Sequence, residues 1–310
     1  MTRAHGRPLY RAAFGARYAI PAFNVSNLET AQAVLAAATA AAAPVVLQVS
    51  PGAIAYAGYR PLTRLVMDLA DEAEVPVIVH LDHCRDPVLV RQALEDGYGS
   101  VMFDGSARPL EENVELTAAL VAAARARGPG VAFEAELGRI GGREDTDLET
   151  AWAERTTPTE AAAFVTATDT DLLAPNLGNL HRMPDDSSRL DVDQVRAIAE
   201  TTRRPVVLHG GSGVDRAQLQ AAIAAGIAKI NISSRVGRAL AAGIREAWAE
   251  RPDETDLRRF LGKGREAVAA MATDYFSLTG AAGRAAAEGR AAAAAVARPV
   301  FAGDIEAEPE

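Results

Sequence analysis

Histidine is rare in this sequence, and most of the histidine residues lie at positions where a metal ion could bind. Only five histidines occur in 310 residues, and four of them lie at or just beyond the ends of apolar runs: His80, His83, His181 and His209. A catalytic zinc is held by three protein ligands and keeps one open position. His83, His181 and His209 follow three separate runs, so they predict a metal site. Three buried histidines that only satisfy the core are the alternative.

Carboxylates accompany these histidines. Asp82 directly precedes His83, and Asp104, Glu134 and Glu136 end neighbouring apolar runs. Glu136 and Asp104 are candidates for a second or alternative metal position, with ordinary salt bridges as the alternative. Carboxylate and imidazole are also the side chains most often used for general acid–base catalysis.

Two short segments predict an anion site. The first, HGGSG at 209–213, leads into a helix expected to begin near Val214. Glycine lets backbone N–H groups approach an anion, and a helix N-terminus adds a favourable dipole. The second segment, NISS at 231–234, repeats this arrangement at the start of the next predicted helix.

The elements that must position these groups alternate along the chain. Near-continuous apolar runs predict eight parallel strands that are covered on both faces. These runs are residues 19–25, 44–50, 75–81, 100–105, 131–137, 171–178, 205–211 and 228–233. Amphipathic helices separate them, the first with a capping box expected from Ser26 and Glu29. Eight strand–helix repeats indicate the α/β class and a (β/α)8 TIM barrel with extra C-terminal helices, and they disfavour a doubly wound open sheet.

A barrel of this kind carries its active site at the carboxyl ends of its strands, with a phosphate site after strands seven and eight. The histidines, the carboxylates and both short segments would then converge on one rim. One long connection, residues 138–157, is expected to be functional or mobile. We expect residues 1–285 to form one domain, and residues 286–310 a low-complexity, Ala-rich tail with an acidic end.

Composition excludes several classes of protein. The net charge is −9 and the Lys and Arg residues are scattered, so no basic face is offered to nucleic acid. No apolar run reaches the roughly 20 residues that span a bilayer, and the N-terminal segment lacks the apolar core of a secretion signal. The single cysteine, Cys84, suits a reducing compartment and is expected to pack rather than bind metal. We therefore expect a soluble, cytoplasmic protein.

A set of motifs runs in order from about residue 18 to residue 285. These motifs are AIPAFNVSNLET, QVSPGAIAYAG, HLDHC, SVMFDGSARPLEENV, EAELGRIGGRED, GNLH, HGGSGV, KINISS and LGKGREAVAAMATDYFSLTGAAGRA. With them the sequence resembles the class II, metal-dependent ketose-bisphosphate aldolases, the family of fructose- and tagatose-bisphosphate aldolases. The resemblance implies a zinc cofactor, a sugar phosphate substrate and a homodimer or homotetramer. A second divalent or a monovalent cation is left open.

The resemblance also implies roles for individual residues. His83, His181 and His209 match the zinc ligands, and Glu136 matches a glutamate that holds the metal in an alternative position. Asp82 matches the acid/base at the aldehyde oxygen, which takes the C4 hydroxyl proton in cleavage and returns it in synthesis.

Other positions match groups that bind or enolise the substrate. Glu144, on the long connection, matches the group implicated in moving the C3 proton of dihydroxyacetone phosphate. Contacts to the ketose phosphate and carbonyl are matched by Gly210, Gly211, Ser212, Asn231 and Ser234. Ser50 and Asn24 lie in matching motifs with less definite roles. Arg258, with Arg259 equally placed, corresponds to an arginine offered to a neighbouring subunit's second phosphate.

Two places depart from the family pattern. Arg182 stands where glycine usually follows the histidine, and it would replace a cation, add a phosphate contact or obstruct the site. Ser233 stands where members carry aspartate or alanine, and Ser234 where threonine is usual. These changes leave the metal and enolisation residues whole, and they leave the aldehyde and even the donor open.

Three functions follow from these patterns. A metal-dependent aldolase with fructose 1,6-bisphosphate as default substrate is the first, and tagatose bisphosphate or a specialised aldehyde are its alternatives. A Schiff-base aldolase would need Lys229, the only lysine inside the predicted barrel, and would leave the histidines unexplained. A non-catalytic barrel that binds a sugar phosphate is favoured by Arg182 and opposed by the intact metal and acid–base residues.

Overall fold

A computed structural model shows a parallel β-barrel surrounded by helices. It describes residues 3–138, 140–142, 154–181 and 189–287, and only the backbone of residues 141–142 and 180–181. The strands are β1 (Ile20–Asn24), β2 (Val45–Val49), β3 (Val77–Cys84), β4 (Ser100–Phe103), β5 (Ala132–Leu137), β6 (Gly141–Gly142), β7 (Leu172–Pro175), β8 (Leu180–His181), β9 (Val206–Leu208) and β10 (Ile227–Ile232). The α-helices are α1 (Gly6–Ala16), α2 (Leu28–Ala40), α3 (Pro51–Ala57), α4 (Tyr59–Glu72), α5 (Pro87–Glu95), α6 (Leu110–Arg127), α7 (Pro158–Thr168), α8 (Val192–Thr202), α9 (Arg216–Ala225), α10 (Ser234–Glu250) and α11 (Leu257–Leu278).

Eight of the strands close into a barrel. Their order is β1, β2, β3, β4, β5, β7, β9 and β10, and β10 pairs again with β1. All eight pairings are parallel. Each strand faces the barrel interior on one side and helices on the other, which is why its apolar run is nearly continuous. The predicted TIM barrel with C-terminal helices is thus confirmed.

The N-terminal segment closes the barrel at the end opposite the candidate site. Backbone amides of Ala4, Gly6 and Arg7 donate to carbonyls just before or at the starts of β3, β4 and β5, at 2.8, 2.9 and 3.0 Å. Leu9 and Tyr10 of α1 are buried against the barrel. Helix α1 was not predicted from the sequence, and the position of α1 leaves the carboxyl-terminal rim as the open end of the barrel.

The C-terminal helices pack on the outside near β1. Rings of Tyr275 and Phe276 on α11 meet Phe23 of β1 edge-on, with centroids 6.2 and 5.7 Å apart. Helices α10 and α11 approach closely, since a Cβ at Gly243 would lie 2.6 Å from the Lys263 carbonyl oxygen. These helices therefore belong to the same packed body as the barrel. The predicted boundary at residue 285 stays a prediction, and residues 288–310 lie outside the described part.

Two helix starts differ in detail from the prediction. Helix α2 begins at Leu28, and its cap is Asn27 rather than Ser26, because the Asn27 side chain accepts from the Thr30 amide. The helix after the glycines was predicted to begin near Val214, and it begins two residues later. The segment before it forms a 3-10 turn over Gly211–Gly213, and α9 begins at Arg216.

The long connections also differ from the prediction. Besides residues 138–157, residues 176–191 form a second long connection, between β7 and α8. The two connections are joined, because β6 and β8 pair in parallel with Gly141 beside Leu180 and Gly142 beside His181. Within the described ranges, none of the helices has the length and hydropathy needed to cross a membrane.

Candidate active site

Two histidines and a glutamate meet at the carboxyl-terminal rim. Nδ1 of His209 lies 3.4 Å from Oε2 of Glu136, and Nδ1 of His83 lies 3.7 Å from the same oxygen. The two imidazole rings stand 4.3 Å apart at 64°. One ligand atom from each residue lies within 4.8 Å of the other two. Bonds of about 2.1 Å in tetrahedral geometry imply ligand separations of about 3.4 Å, so this donor set fits a zinc ion.

The electrostatics of Glu136 agree with a cation in this place. Burial and the charge of Asp104 raise the pKa of Glu136 to about 7, although His209 and His83 lower it. The positive charge around Glu136 is therefore too small to keep its carboxylate ionised at the usual pKa. A divalent ion among these three residues would supply that charge.

The backbone at His83 explains how two successive residues reach the rim. Strand alternation turns Asp82 inward and would turn His83 outward. His83 instead has φ of 46°, in the left-handed region, and the pairing of β3 with β4 shifts between Leu81 and Cys84. Such a conformation costs of the order of 1–3 kcal/mol in a non-glycine residue and clusters at functional sites. Cys84 is buried beyond this shift, and burial raises the pKa of its thiol to about 11, which agrees with a packing role.

Asp82 is held by two amides. Its Oδ2 accepts from Nδ2 of Asn24 at 2.8 Å, and its Oδ1 accepts from Nδ2 of Asn231 at 3.0 Å. Burial alone would raise the pKa of Asp82, but the positive charges of His83 and Lys229 outweigh it and lower the pKa. Asp82 is therefore an ionised, oriented carboxylate beside the histidines. Asn24 and Asn231, predicted as substrate contacts, lie here as partners of Asp82.

A buried ion pair lies below the rim, inside the barrel. Nζ of Lys229 donates to Oε2 of Glu134 at 2.8 Å, and both side chains are fully buried. Oε1 of Glu134 lies 3.0 Å from Nε2 of His209. Nζ of Lys229 also lies 3.3 Å from Nε2 of His80, whose Nδ1 lies 2.8 Å from the Ser100 hydroxyl.

This pair bears on the Schiff-base alternative. An amine that attacks a carbonyl must reach the substrate, whereas the Lys229 amine is enclosed in the core and bonded to Glu134. Glu134 and Lys229 were named separately from the sequence, and their pairing was not predicted. The available signal was period two on the strands, which turns Glu134 inward with Glu136 and Lys229 inward with Asn231.

The predicted anion site is built from a turn and a helix start. Gly210 has φ of 65°, and a Cβ at Gly211 would lie 2.5 Å from Cγ2 of Ile230. The buried Ser212 hydroxyl oxygen has no hydrogen-bond partner among the described residues. Nε of Arg235 donates to the Ser212 carbonyl at 2.9 Å. The turn is thus packed tightly against β10 and tied to α10.

The helix that serves this site is α10 rather than α9. Asp215 caps α9 and accepts from the amides of Ala217 and Gln218, so the first turn of α9 already has an anionic partner. Ser233 precedes α10 with no side-chain capping bond, and Ser234 is its first residue. The positive end of the α10 dipole therefore adjoins the turn of Gly211–Gly213.

Three further predicted residues have other partners. Asp104 accepts from Nε of Arg85 at 2.7 Å and from the Ser106 hydroxyl at 2.6 Å, and it is not in the three-residue metal cluster. Ser50 caps α3 by accepting from the Ala53 amide at 3.3 Å. Arg258 lies at the start of α11, exposed and paired with Asp256 at 2.8 Å.

The remaining predicted residues are described only in part. The backbone of His181 lies in β8, and its side chain is outside the described part. Asn179, two residues earlier, donates to the His209 carbonyl at 2.8 Å, so this connection is tied to a cluster residue. Glu144 and Arg182 lie outside the described residues.

Comparison with known proteins agrees with this geometry. The family model described as fructose-bisphosphate aldolase class-II matches residues 5–284. A fructose-bisphosphate aldolase from Geobacillus stearothermophilus is 38% identical over 283 residues, which cover 90% of this chain and 98% of the relative. A sulfofructosephosphate aldolase from Alkalicoccus urumqiensis is 36% identical over 269 residues, which cover 86% and 93%. The YdjI aldolase from Escherichia coli K12 superposes with a TM-score of 0.78 at 32% identity, over 91% of this chain and 99% of that structure. The chain therefore belongs to the class II fructose-bisphosphate aldolase family, and it is an aldolase.

Proposed function

We propose that this aldolase is zinc-dependent and interconverts fructose 1,6-bisphosphate with dihydroxyacetone phosphate and an aldehyde. The observation that carries the proposal is the convergence of His83, His209 and Glu136 beside the ionised Asp82. The relative named fructose-bisphosphate aldolase supports this substrate. The relative named sulfofructosephosphate aldolase supports the second candidate, a specialised aldehyde partner, at 36% identity.

The metal would be held by His83, His209 and His181, with Glu136 as the alternative ligand. Two imidazole nitrogens and a carboxylate suit zinc. When bound, zinc supplies Lewis acidity that polarises the ketone and eases loss of the neighbouring proton. Asp104 is a candidate for a second cation only if it leaves Arg85 and Ser106.

Proton transfers fall to two carboxylates. Asp82 takes the C4 hydroxyl proton in cleavage and returns it in synthesis. Asn24 and Asn231 support this role because they hold both of its oxygens in place. Glu144 moves the C3 proton of dihydroxyacetone phosphate.

The ketose phosphate binds at the turn after β9. The amides of Gly210, Gly211 and Ser212, the Ser212 hydroxyl, and the start of α10 at Ser233 and Ser234 form this site. Its support is the buried hydroxyl of Ser212, which has no hydrogen-bond partner among the described residues and lies next to a helix N-terminus. Ser50, at the end of β2, is the candidate for a further substrate contact.

The second phosphate and the assembly are extensions of the same proposal. We assign Arg258 to the second phosphate of a neighbouring subunit in a homodimer or homotetramer, and its exposed position agrees with an intermolecular role. Arg182 is the candidate for an added phosphate contact in place of a monovalent cation. A cytoplasmic location agrees with the single, buried cysteine.

Deuterium exchange into dihydroxyacetone phosphate tests the metal mechanism without the aldehyde. The enzyme is incubated in heavy water and the substrate followed by NMR, with and without chelator and with zinc restored. Exchange that stops on chelation and returns with zinc is expected. Exchange that survives chelation would point to Lys229, which borohydride trapping would detect.

The aldehyde is tested separately by cleavage. Fructose 1,6-bisphosphate, tagatose 1,6-bisphosphate and sulfofructose phosphate are compared by kcat/KM. A preference of more than about 100-fold for one substrate, about 2.7 kcal/mol in the transition state, would identify it. Absence of both exchange and cleavage would overturn the proposed donor, dihydroxyacetone phosphate, and with it all three substrates.

A further inference from the structure

The buried side chains below the rim form a series of polar contacts that ends at His209, a proposed metal ligand. This series runs from Ser100 through His80, Lys229 and Glu134 to His209. The successive polar atoms are 2.8, 3.3, 2.8 and 3.0 Å apart. The four ionisable members are fully buried. We call these five residues the core relay. None of the proposed catalytic steps uses Glu134, Lys229 or His80, so their presence in the barrel needs another reason.

The donors and acceptors of the core relay can be assigned one after another. Oε2 of Glu134 accepts from the Lys229 ammonium at 2.8 Å and both side chains are fully buried, so Glu134 is the carboxylate of a buried ion pair. A carboxylate only accepts hydrogen bonds. Nε2 of His209 must therefore carry a hydrogen, and it donates a hydrogen bond to Glu134. In a neutral ring, Nδ1 is then left as the atom with a lone pair.

That assignment matches the direction of the ring. Nδ1 of His209 is the atom that lies 3.4 Å from Glu136, on the side of the metal cluster. We propose that Glu134 is a positioning residue, which Lys229 keeps ionised and which fixes His209 so that Nδ1 is the atom presented to the metal. The inference rests on the proposed role of His209 as a metal ligand.

His80 completes the arrangement on the other side of Lys229. Burial and the charge of Lys229 lower the pKa of His80 to about 3, so its ring is neutral. Its Nε2 accepts from the ammonium of Lys229, and its Nδ1 donates to Ser100. Lys229 is thereby shared between an acceptor on β3 and one on β5. This fixes the ammonium that holds Glu134 ionised.

Two double variants distinguish a role of Glu134 in positioning His209 from a role in balancing the charge of Lys229. In Glu134→Leu/Lys229→Met both charges are removed together, which is often neutral or stabilising for a buried pair. His209 then has no acceptor at Nε2. Loss of such an outer-shell partner is expected to weaken metal binding about 10- to 100-fold. Zinc affinity is measured by competition with a chelator, and folding by the melting temperature of the metal-free protein.

The matched control is Glu134→Gln/Lys229→Met. It removes the same two charges but keeps a carbonyl oxygen that accepts from Nε2 of His209. Zinc affinity is expected to return to within a few-fold of wild type. Equal affinity in wild type and both variants would overturn the proposal, and so would an equal loss in both variants. A wild type that binds no zinc would instead overturn the proposed function.

A second measurement uses the unmodified protein. The chain has five histidines, so nitrogen-15 labelling of histidine gives few signals. In the zinc-loaded wild type, His209 is expected to bind the metal through Nδ1 and to keep a proton on Nε2. Metal binding through Nε2 would overturn the proposal even if neither double variant folded.

Discussion

The close contact between Gly211 and Ile230 allows the phosphate site to be tested by one methyl group. A Cβ at Gly211 would lie 2.5 Å from Cγ2 of Ile230 and 3.2 Å from the Asn231 carbonyl oxygen. The optimum for carbon atoms is about 3.5–4.0 Å. In Gly211→Ala the turn must therefore move by about 1 Å. The residue has ordinary negative φ, so the strain comes from the contact alone.

The size of the effect follows from this displacement. A misplacement of about 1 Å in a binding group can cost about 100-fold in rate. We expect kcat/KM for the ketose bisphosphate to fall about 10- to 100-fold, or about 1.4–2.7 kcal/mol, mainly through KM. Overpacking should also lower the free energy of unfolding by about 1–3 kcal/mol. The assay is steady-state cleavage, together with deuterium exchange into dihydroxyacetone phosphate.

Two variants provide the controls. Gly237→Ala adds the same methyl group on α10, where no described atom outside the local helix backbone lies within 4 Å, and it should leave kcat/KM unchanged and slightly stabilise the helix. Ile230→Ala/Gly211→Ala removes the clashing Cγ2 and should recover much of the lost affinity. An unchanged KM in Gly211→Ala would refute the reasoning, because the turn would then have moved without affecting the phosphate.

Three further predictions concern the metal, the acid–base pair and the fold. Zinc present at 100 times its Kd should stabilise the protein by about 2.7 kcal/mol, so chelation should lower the melting temperature in calorimetry. Asp82→Asn should reduce cleavage about 10²- to 10⁴-fold while deuterium exchange into dihydroxyacetone phosphate persists. Glu144→Gln should abolish that exchange. The reverse pattern would mean that the two residues have each other's role. Asp171→Asn should destabilise the fold by about 3 kcal/mol in urea unfolding, because it removes the buried carboxylate charge that pairs with both Arg7 and Arg125 at 2.8 Å. That value is at the low end for a buried pair because the side chains of Arg7 and Arg125 are 20% and 23% exposed. Zinc affinity should be the same in Asp171→Asn as in the wild type.

Much of the barrel could be predicted because its signals are local and repeated. Parallel strands covered on both faces produce apolar runs, and each of the eight predicted runs overlaps a barrel strand. Helix starts were less predictable, since Ser26 and Asn27 are both good caps and only the Thr30 contact distinguishes them. Helix α1 was missed because it follows no strand and is defined by what it covers.

The site was predictable as a set of residues and less so as a set of contacts. Strand ends and motifs named His83, His209, Glu136 and Asp82, which the structure brings together. The left-handed backbone of His83 could not be read from the sequence, because it arises from a register shift between two strands. The partners of Asp104 likewise depend on the path of the chain after β3 and β4.

The closed lower end of the barrel divides the enzyme into two electrostatic environments. Ions of the buffer screen exposed charges over about 8 Å at physiological ionic strength, but they screen fully buried pairs much less. The attraction between Lys229 and Glu134 should therefore depend little on salt, and so should the orientation it gives to His209. The phosphate site faces the open rim, where added salt competes directly. Ionic strength should thus change how tightly the substrate is held while the metal ligands keep their geometry.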